Sequence, residues 1–150
     1  MASISVQAAD FDLGKEVDLL KADTTSIGAV VTFTGTVRDV GGTLSSMTLE
    51  HYPGMTEREL GRIASEAESR WALLGCRVIH RHGTLKPGDN IVLVITASAH
   101  RTDAFKAAEF LMDFLKSEAP FWKKERTADH DSWVEAKVAD TAALRKWDQD

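Results

Sequence analysis

Two lysines in the last third of the chain, Lys116 and Lys123, stand where an ammonium group could transfer a proton. Lys123 follows an apolar segment, residues 119–122, that contains a proline and could hold the side chain partly out of water. Because burial disfavours a charged amine, it would lower the pKa of Lys123 toward values useful to an acid or a base. The alternative is that Lys123 forms a solvated charged patch with Lys124 and Glu125. Lys116 would then only meet the dipole at the end of a helix.

A second set of side chains could bind a phosphate group. His100 and Arg101 stand between a predicted strand and a predicted helix, and the first N–H groups of a helix have no partners within it. A phosphate there would gain these donors, the helix dipole and a bidentate contact with Arg101. Arg38 follows Thr36 and Val37 at the end of another predicted strand and is a weaker candidate. The alternative is that both arginines are solvated surface charges and that His100 packs at the end of its strand.

The other residues give little support for a metal site, a disulfide or a nucleotide-binding site. The single cysteine, Cys76, permits no disulfide within the chain, and its apolar neighbours favour a buried side chain over a nucleophile. His80 and His82 share one face of a predicted strand, but no third ligand stands nearby, so we expect no metal site. No glycine-rich phosphate loop, dinucleotide-binding turn or nucleophile elbow occurs. We therefore expect an activity that needs no resident cofactor.

The composition is that of an ordinary globular domain. The 150 residues carry 18 Lys and Arg against 23 Asp and Glu, a net charge of −5, which excludes an overall basic nucleic-acid binder. No apolar run approaches the ~20 residues that cross a bilayer, and the first residues lack the pattern of a secretion signal. We predict one cytoplasmic domain over residues 1–150, with a polar tail at about residues 141–150 that could be mobile.

Periodicity predicts the elements that must position these side chains. Helices are expected at residues 13–22, from a cap at Thr56 with Glu59 three positions later as far as Trp71, and from Ala104 to Leu115; strands are expected at residues 27–37, 44–52, 76–82, 90–98 and 133–138. The strands at 76–82 and 90–98 flank a Pro-Gly turn and should form a hairpin. Because strands and helices do not alternate regularly, we predict an α+β fold on a mainly antiparallel sheet.

Five segments of the chain together resemble one known family. They are residues 33–38, the Leu-Glu-His-Tyr-Pro-Gly-Met string at 49–55, residues 78–83, the pair His100 and Arg101, and residues 115–125 with their Ala-Pro-Phe-Trp-Lys-Lys-Glu string. Strings of this length rarely coincide by chance. From them the chain is identified as similar to the MoaE family, the large catalytic subunits of molybdopterin synthase, from about Phe11 to Trp147.

The resemblance implies a sulfurtransferase that converts cyclic pyranopterin monophosphate to molybdopterin. It implies that the sulfur comes from the thiocarboxylated Gly-Gly end of a small ubiquitin-like subunit, and that two sulfurs make a dithiolene. It also implies an α/β hammerhead-type fold and a heterotetramer, in which a central homodimer of this subunit carries one small subunit at each end.

The residues that match the family's pocket are those already singled out. The resemblance implies a pterin-phosphate pocket formed by Thr36, Val37, Arg38, His100, Arg101, Lys116, Lys123, Lys124 and Glu125, with Lys116 and Lys123 as the catalytic pair. The sequence departs from the family's pattern in the short loop after Arg38, at Ala99 where a basic residue can occur, and at Lys137 where an arginine can occur.

Two other functions remain open at this point. One is a non-catalytic protein that binds a pterin phosphate or a nucleotide, which would use the same arginines but would not need paired lysines. The other is a scaffold that docks a ubiquitin-like protein, for which the hydrophobic pair Phe121 and Trp122 and the C-terminal strand would suffice.

Overall fold

Eight strands and four helices make up the described part of the chain. The structure, a computed structural model, describes residues 2–39, 41–127, 131–134 and 138–148. In chain order the elements are β1 (Ala2–Gln7), α1 (Leu13–Lys21), β2 (Ala29–Thr36), β3 (Leu44–His51), α2 (Met55–Arg70), β4 (Leu73–Arg81), β5 (Gly83–Leu85), β6 (Asn90–Ser98), α3 (Arg101–Ser117), β7 (Phe121–Thr127), β8 (Asp131–Val134) and α4 (Val138–Arg145), followed by a turn of 3₁₀-helix at Lys146–Asp148. None of the helices in these ranges is long and apolar enough to cross a lipid bilayer.

The strands form two four-stranded sheets. The first sheet has the order β1-β4-β6-β2, in which the edge strand β1 runs parallel to β4 and the other neighbours are antiparallel. The second sheet has the order β5-β3-β7-β8 and is antiparallel throughout. The predicted α+β fold on a mainly antiparallel sheet is confirmed. The predicted pairing of β4 with β6 is confirmed too, although β5 leaves the connection between them to join the second sheet.

The main core lies between the first sheet and helices α2 and α3. The sheet supplies Val78 and Val94, and the helices supply Leu60, Leu111 and Phe114, each at most 1% exposed. Burying a large apolar side chain of this kind stabilises a fold by about 1.5–3 kcal/mol. Because α3 packs on the sheet along its length, its last turn has a fixed position relative to the strands.

A smaller apolar cluster lies beside the second sheet and contains Val37. This residue is 3% exposed and packs with Leu44, Leu49 and Leu85. Its N–H donates to the carbonyl of Asp89 at 2.9 Å, which joins the end of β2 to the turn before β6. Val37 therefore has a packing role, and it fixes the direction in which the chain leaves β2.

Helix α2 is capped by Gly54 rather than by Thr56. Gly54 has a φ of 83°, which glycine adopts without strain, and its N–H donates to Oε2 of Glu57 at 2.9 Å. Thr56 lies within the first turn, where its hydroxyl accepts from the N–H of Tyr52 and donates to the carbonyl of Pro120, both at 3.2 Å. The predicted Thr56 cap is wrong because this hydroxyl joins α2 to the connection before β7.

The C-terminal segment differs from the predicted one. The strand expected at residues 133–138 is Asp131–Val134, and a helix, α4, follows it beyond residues 135–137, which lie outside the described residues. Most of the predicted polar tail belongs to α4 and the 3₁₀ turn; residues 149–150 lie outside the described residues. Whether the tail moves stays a prediction.

Tertiary contacts explain why this short polar segment is helical. The ring of Trp147 packs edge-on against Trp71 and Phe110, with centroid distances of 5.6 and 5.5 Å. Its indole N–H donates to Oδ2 of Asp113 at 2.6 Å. A helix of eight residues is marginal in isolation, so packing against α2 and α3 stabilises it and local periodicity gives no signal.

Candidate active site

A cavity of about 200 Å³ opens where the last turn of α3, the first residues of β7 and the end of β2 meet. Thr36, Lys116 and Lys123 line it, so the structure brings together three side chains predicted from separate segments. Further polar side chains, among them His80 and Asp140, line the same cavity. The site therefore combines amines, an imidazole and a carboxylate in a partly apolar pocket.

Strand β7 directs Lys123 into this cavity. Alternate residues of a strand face opposite sides, and both Phe121 and Lys123 line the cavity. Burial lowers the pKa of Lys123, and the nearby charge of Lys116 lowers it further, while the carboxylates of Asp140 and Glu125 oppose this effect. Lys123 therefore gives up a proton more readily than a solvated lysine does.

Lys116 is held near Lys123 by the end of α3 and the tight connection that follows. The carbonyl of Phe114 accepts hydrogen bonds from the N–H groups of the two residues after the helix, at 2.8 and 3.3 Å. The carbonyl of Pro120 accepts the bond from the hydroxyl of Thr56. These bonds hold the connection against both α2 and α3, so they fix the relative position of the backbone at Lys116 and Lys123.

His80, considered from the sequence only as a metal ligand, belongs to this site. It is 6% exposed, and its ring stacks on that of Phe121 with centroids 3.7 Å apart and planes inclined by 18°. Burial lowers the pKa of His80 to about 4, and the charges of Lys123 and Lys116 act in the same direction. The imidazole is therefore neutral at pH 7.

Asp140 is a site residue that the sequence analysis missed altogether. It lies in the first turn of α4, and its backbone carbonyl accepts a hydrogen bond from Oγ of Ser117 at 2.7 Å. This bond joins the start of α4 to the end of α3, which places the carboxylate beside the cavity. The carboxylate of Asp140 raises the pKa of Lys123 and so favours the protonated form of that lysine.

The lysine run of β7 is divided between the two faces of the strand. Glu125 is close enough to Lys123 to raise its pKa. Lys124 lies on the other face, where Nζ is 3.5 Å from Oδ2 of Asp131 and 5.7 Å from the ring centre of Trp133. Lys124 therefore faces a separate polar patch of the second sheet and not the cavity.

The two histidines considered as a metal pair have different neighbours. His80 stacks on Phe121, whereas the ring of His82 lies 4.3 Å from that of His51. Within the described ranges, no group of three or more His, Cys, Asp or Glu side chains is arranged to hold a metal ion.

Residues 6–118 match the family model described as MoaE protein. The chain belongs to the MoaE family. It is 56% identical over 147 residues to the molybdopterin synthase catalytic subunit of Mesorhizobium japonicum, a match that covers 97% of this chain and 92% of that protein. The resemblance stated from the sequence is confirmed, and this MoaE chain is an enzyme of molybdopterin synthesis.

Solved structures share the fold of this MoaE chain. The molybdopterin biosynthesis MoaE protein from Burkholderia ambifaria superimposes with a TM-score of 0.86 at 51% identity, over the whole of both chains. A chain in the complex of subunits 1 and 2 of molybdopterin-converting factor from Helicobacter pylori has a TM-score of 0.73 at 18% identity, with 91% of each chain covered. That second likeness shows the fold alone.

The predicted phosphate-binding residues of this MoaE chain lie apart from its lysines. Arg101 is the first and Lys116 the penultimate residue of the 17-residue α3, so their Cα atoms are about 22 Å apart. His100 precedes Arg101, and both are exposed. A small molecule in the cavity of one chain is thus far from the His100 and Arg101 of the same chain.

One predicted position just beyond the end of β2 does not line the cavity. Arg38 is exposed two residues beyond Thr36, and it is not among the described residues that line the cavity. Lys137 lies outside the described residues.

Proposed function

We propose that this MoaE chain converts cyclic pyranopterin monophosphate to molybdopterin in the cytoplasm, and that sulfur is transferred in the cavity beside Lys116 and Lys123. One observation carries the proposal: the two lysines, from the end of a helix and the start of a strand, line one partly buried cavity. A non-catalytic binding protein would not need two amines held together against their mutual repulsion.

The reaction requires this chain to orient the reacting groups and to transfer protons. The sulfur donor is the thiocarboxylated Gly-Gly end of a small ubiquitin-like subunit, so the nucleophile arrives already activated. Attack of its sulfur on a pterin carbon forms a C–S bond and breaks the C–O bond from that carbon to the cyclic phosphate, so that the pterin carries a thioester-like acyl group. Water then attacks the acyl carbon, whose oxygen gains negative charge, and the C–S bond to the tail breaks, leaving the sulfur on the pterin and the tail as a carboxylate. The ammonium groups of Lys116 and Lys123 would stabilise that charge. Lys123, whose pKa is lowered, gives up and regains a proton more readily than a solvated lysine does.

The apolar wall of the cavity suits a glycine tail. Phe121 lines the cavity, and a Gly-Gly tail can enter a narrow space because glycine has no side chain. Trp122 faces the other side of β7, where its ring lies 4.3 Å from that of Tyr52; both rings are partly exposed. An exposed aromatic pair next to the cavity is suited to contact the folded body of the small subunit.

The assembly we propose contains two kinds of subunit. The relative from Mesorhizobium japonicum is named a catalytic subunit, and the Helicobacter pylori structure is of a complex of two subunits. For this chain we propose a central homodimer with one small subunit at each end.

In such a homodimer, His100 and Arg101 would act on the substrate held by the other chain. Within one chain Arg101 is about 22 Å from Lys116 along α3, so a second copy is needed to bring it to the lysines. Arg101 and Arg38 would hold the cyclic phosphate and stabilise it as a leaving group, a kind of contact worth ~3 kcal/mol per donor. His100 would move a proton as the ring opens.

A reconstituted reaction tests the activity. The purified chain is mixed with a thiocarboxylated small subunit and the cyclic precursor, and dithiolene product is measured. We expect product with the complete small subunit and none with a form that lacks the terminal Gly-Gly. Precursor binding without product would indicate a non-catalytic binding protein. Binding of the small subunit without precursor binding would indicate a scaffold.

Mixed dimers test the contribution of the second chain. Lys116→Ala and Arg101→Ala are each expected to be inactive alone. In a dimer of one Lys116→Ala chain with one Arg101→Ala chain, one of the two sites has both residues intact if Arg101 acts across the dimer. Tagged mixed dimers should then recover about half of the wild-type rate. No recovery would show that both residues act within one chain.

A further inference from the structure

His80 lines the cavity, and its Nε2 has no role in the reaction described so far. Nδ1 of the same ring lies 2.8 Å from the backbone carbonyl oxygen of Arg81. A carbonyl oxygen can only accept, so Nδ1 carries the hydrogen. Because burial keeps the ring neutral at pH 7, the lone pair is on Nε2. His80 therefore presents a hydrogen-bond acceptor and no charge.

The position of His80 is set by the sheet and by Phe121. On β4, Cys76 and Val78 pack in the main core, and His80 continues the same alternation at the end of the strand where the cavity opens. The stacked ring of Phe121 and the bond to the Arg81 carbonyl hold the imidazole in one orientation.

Ionisable side chains on three neighbouring elements affect the pKa of His80. Among them, Lys123 on β7 has the largest effect on the pKa of His80, followed by His51 on β3 and Lys116 on α3. Lys123 in turn faces Lys116 and the carboxylates of Asp140 and Glu125. An ammonium group has three N–H donors, and in a partly buried cavity each of them needs an acceptor.

We propose that His80 is a positioning residue, whose Nε2 accepts a hydrogen bond from the ammonium group of Lys123 and directs it at the reacting atom. The inference rests on the proposed role of Lys123. A lysine side chain rotates about four carbon–carbon bonds. A hydrogen bond to an acceptor on a fixed ring restricts this rotation before the reaction, so less conformational entropy is lost on reaching the transition state. A purely structural histidine at this place would need only its flat, buried ring.

Two substitutions separate the positioning role from the structural one. His80→Phe keeps a ring that can stack on Phe121 but removes the acceptor. His80→Gln removes the ring but places an acceptor oxygen at a similar distance from the backbone. In the reconstituted reaction we expect His80→Phe to lower kcat about tenfold with KM for the precursor nearly unchanged. His80→Gln should retain most of kcat. His82→Phe, which alters the neighbouring histidine outside the cavity, is the matched control and should behave as wild type.

The inference is overturned if His80→Phe has the wild-type kcat, or if the Phe and Gln variants lose the same fraction of it. Lys123→Arg, measured alongside, distinguishes a failure of the proposed function from a failure of the proposed role of His80. A wild-type rate in Lys123→Arg would contradict the proposed function, whereas an impaired Lys123→Arg with an unimpaired His80→Phe would contradict the inference alone. ¹⁵N NMR of the wild-type chain at pH 7 gives a test without turnover: we expect hydrogen on Nδ1, and hydrogen on Nε2 would overturn the inference.

Discussion

Lys123 and Lys124 are adjacent in sequence and differ in their surroundings. Lys123 faces a cavity in which burial and a second lysine lower its pKa. Lys124 faces the opposite side of β7, where it is partly exposed and forms an ion pair with Asp131. The period of a β-strand thus places neighbouring lysines in different surroundings, one in the cavity and one in a surface ion pair.

Replacement of Lys116 or Lys123 by arginine should slow dithiolene formation about tenfold or more, a change of ~1.4 kcal/mol in the barrier. Arginine keeps the charge but does not give up its proton at neutral pH, and its planar group needs more room. The rates are measured in the reconstituted reaction, and thermal unfolding should be nearly unchanged. Lys124→Arg should have a milder effect. Wild-type rates in both test variants would contradict the catalytic assignment. A loss of stability that matches the loss of rate would indicate a structural role.

The thiol of Cys76 should be unreactive in the folded protein. It is 2% exposed, and burial raises its pKa to about 12, so almost no thiolate forms at pH 8. With a thiol-specific disulfide reagent, we expect reaction in the native protein to be about a hundredfold slower than in guanidinium. Rapid modification of one thiol per native chain would show that the strand opens at this position.

The site could be predicted in part because some of its residues stand at recognisable element ends. Lys116 precedes a proline that ends a periodic helix, and Thr36 ends a strand rich in β-branched residues. His80 and Asp140 could not be assigned to the site, since their distance from Lys123 depends on the pairing of strands and on the docking of α4. Contacts of this kind join residues far apart in sequence, and local patterns do not report them.

At the level of elements, Gly28, the residue before β2, lies very close to the backbone that follows β6. The N–H of Gly28 donates to the carbonyl of Ser98 at 3.0 Å. A Cβ atom at position 28 would lie 2.2 Å from the carbonyl oxygen of Ala99. The obstacle is backbone, so a side chain at this position requires β2 and β6 to separate.

Gly28→Ala should therefore destabilise the fold by about 2 kcal/mol or more. Gly61→Ala is the matched control: Gly61 lies within α2, a Cβ there meets nothing within 4 Å, and alanine favours a helix by about 1 kcal/mol over glycine. The free energy of unfolding in urea should fall for the first variant and rise for the second. A stabilised Gly28→Ala would show that the two strands have room to move apart.

The elements differ in how far local sequence determines them. Helices α2 and α3 were predicted because each has an apolar face repeated over several turns. Strand β7 was missed since it holds a run of charged residues, which strands disfavour; it is a strand because β3 and β8 pair with its two edges. The edge strand β1 is likewise defined by its pairing with β4.

For the molecule as a whole, His80 links stability to pH. The pKa of this imidazole is about 4 in the folded chain and near 6.5 when unfolded. Between these values the unfolded chain binds more protons, so the free energy of unfolding decreases as the pH falls. The contribution of His80 to this loss between pH 7 and 4.5 is on the order of 2 kcal/mol.

His80→Phe should remove that part of the pH dependence. Urea unfolding of both proteins at pH 7 and 4.5 measures it, and the variant should lose less stability than the wild type by about 2 kcal/mol. His82, whose pKa is also lowered by burial, is present in both proteins and cancels in the comparison. Equal losses in the two proteins would show that His80 is not kept neutral by the fold.

The order of strands in the first sheet also determines when this sheet can form during synthesis. Its pairs join Ala2 to Cys76 and Ala29 to Ser98, so none of its hydrogen bonds can exist while only the first 72 residues have left the ribosome. Strand β2, rich in valine and threonine, stays unpaired until β6 has emerged. A chain that stops before β6 exposes these strand edges to other chains. Emergence of the chain through Ser98 from the ribosome is therefore the condition under which every strand of the first sheet can find its partners.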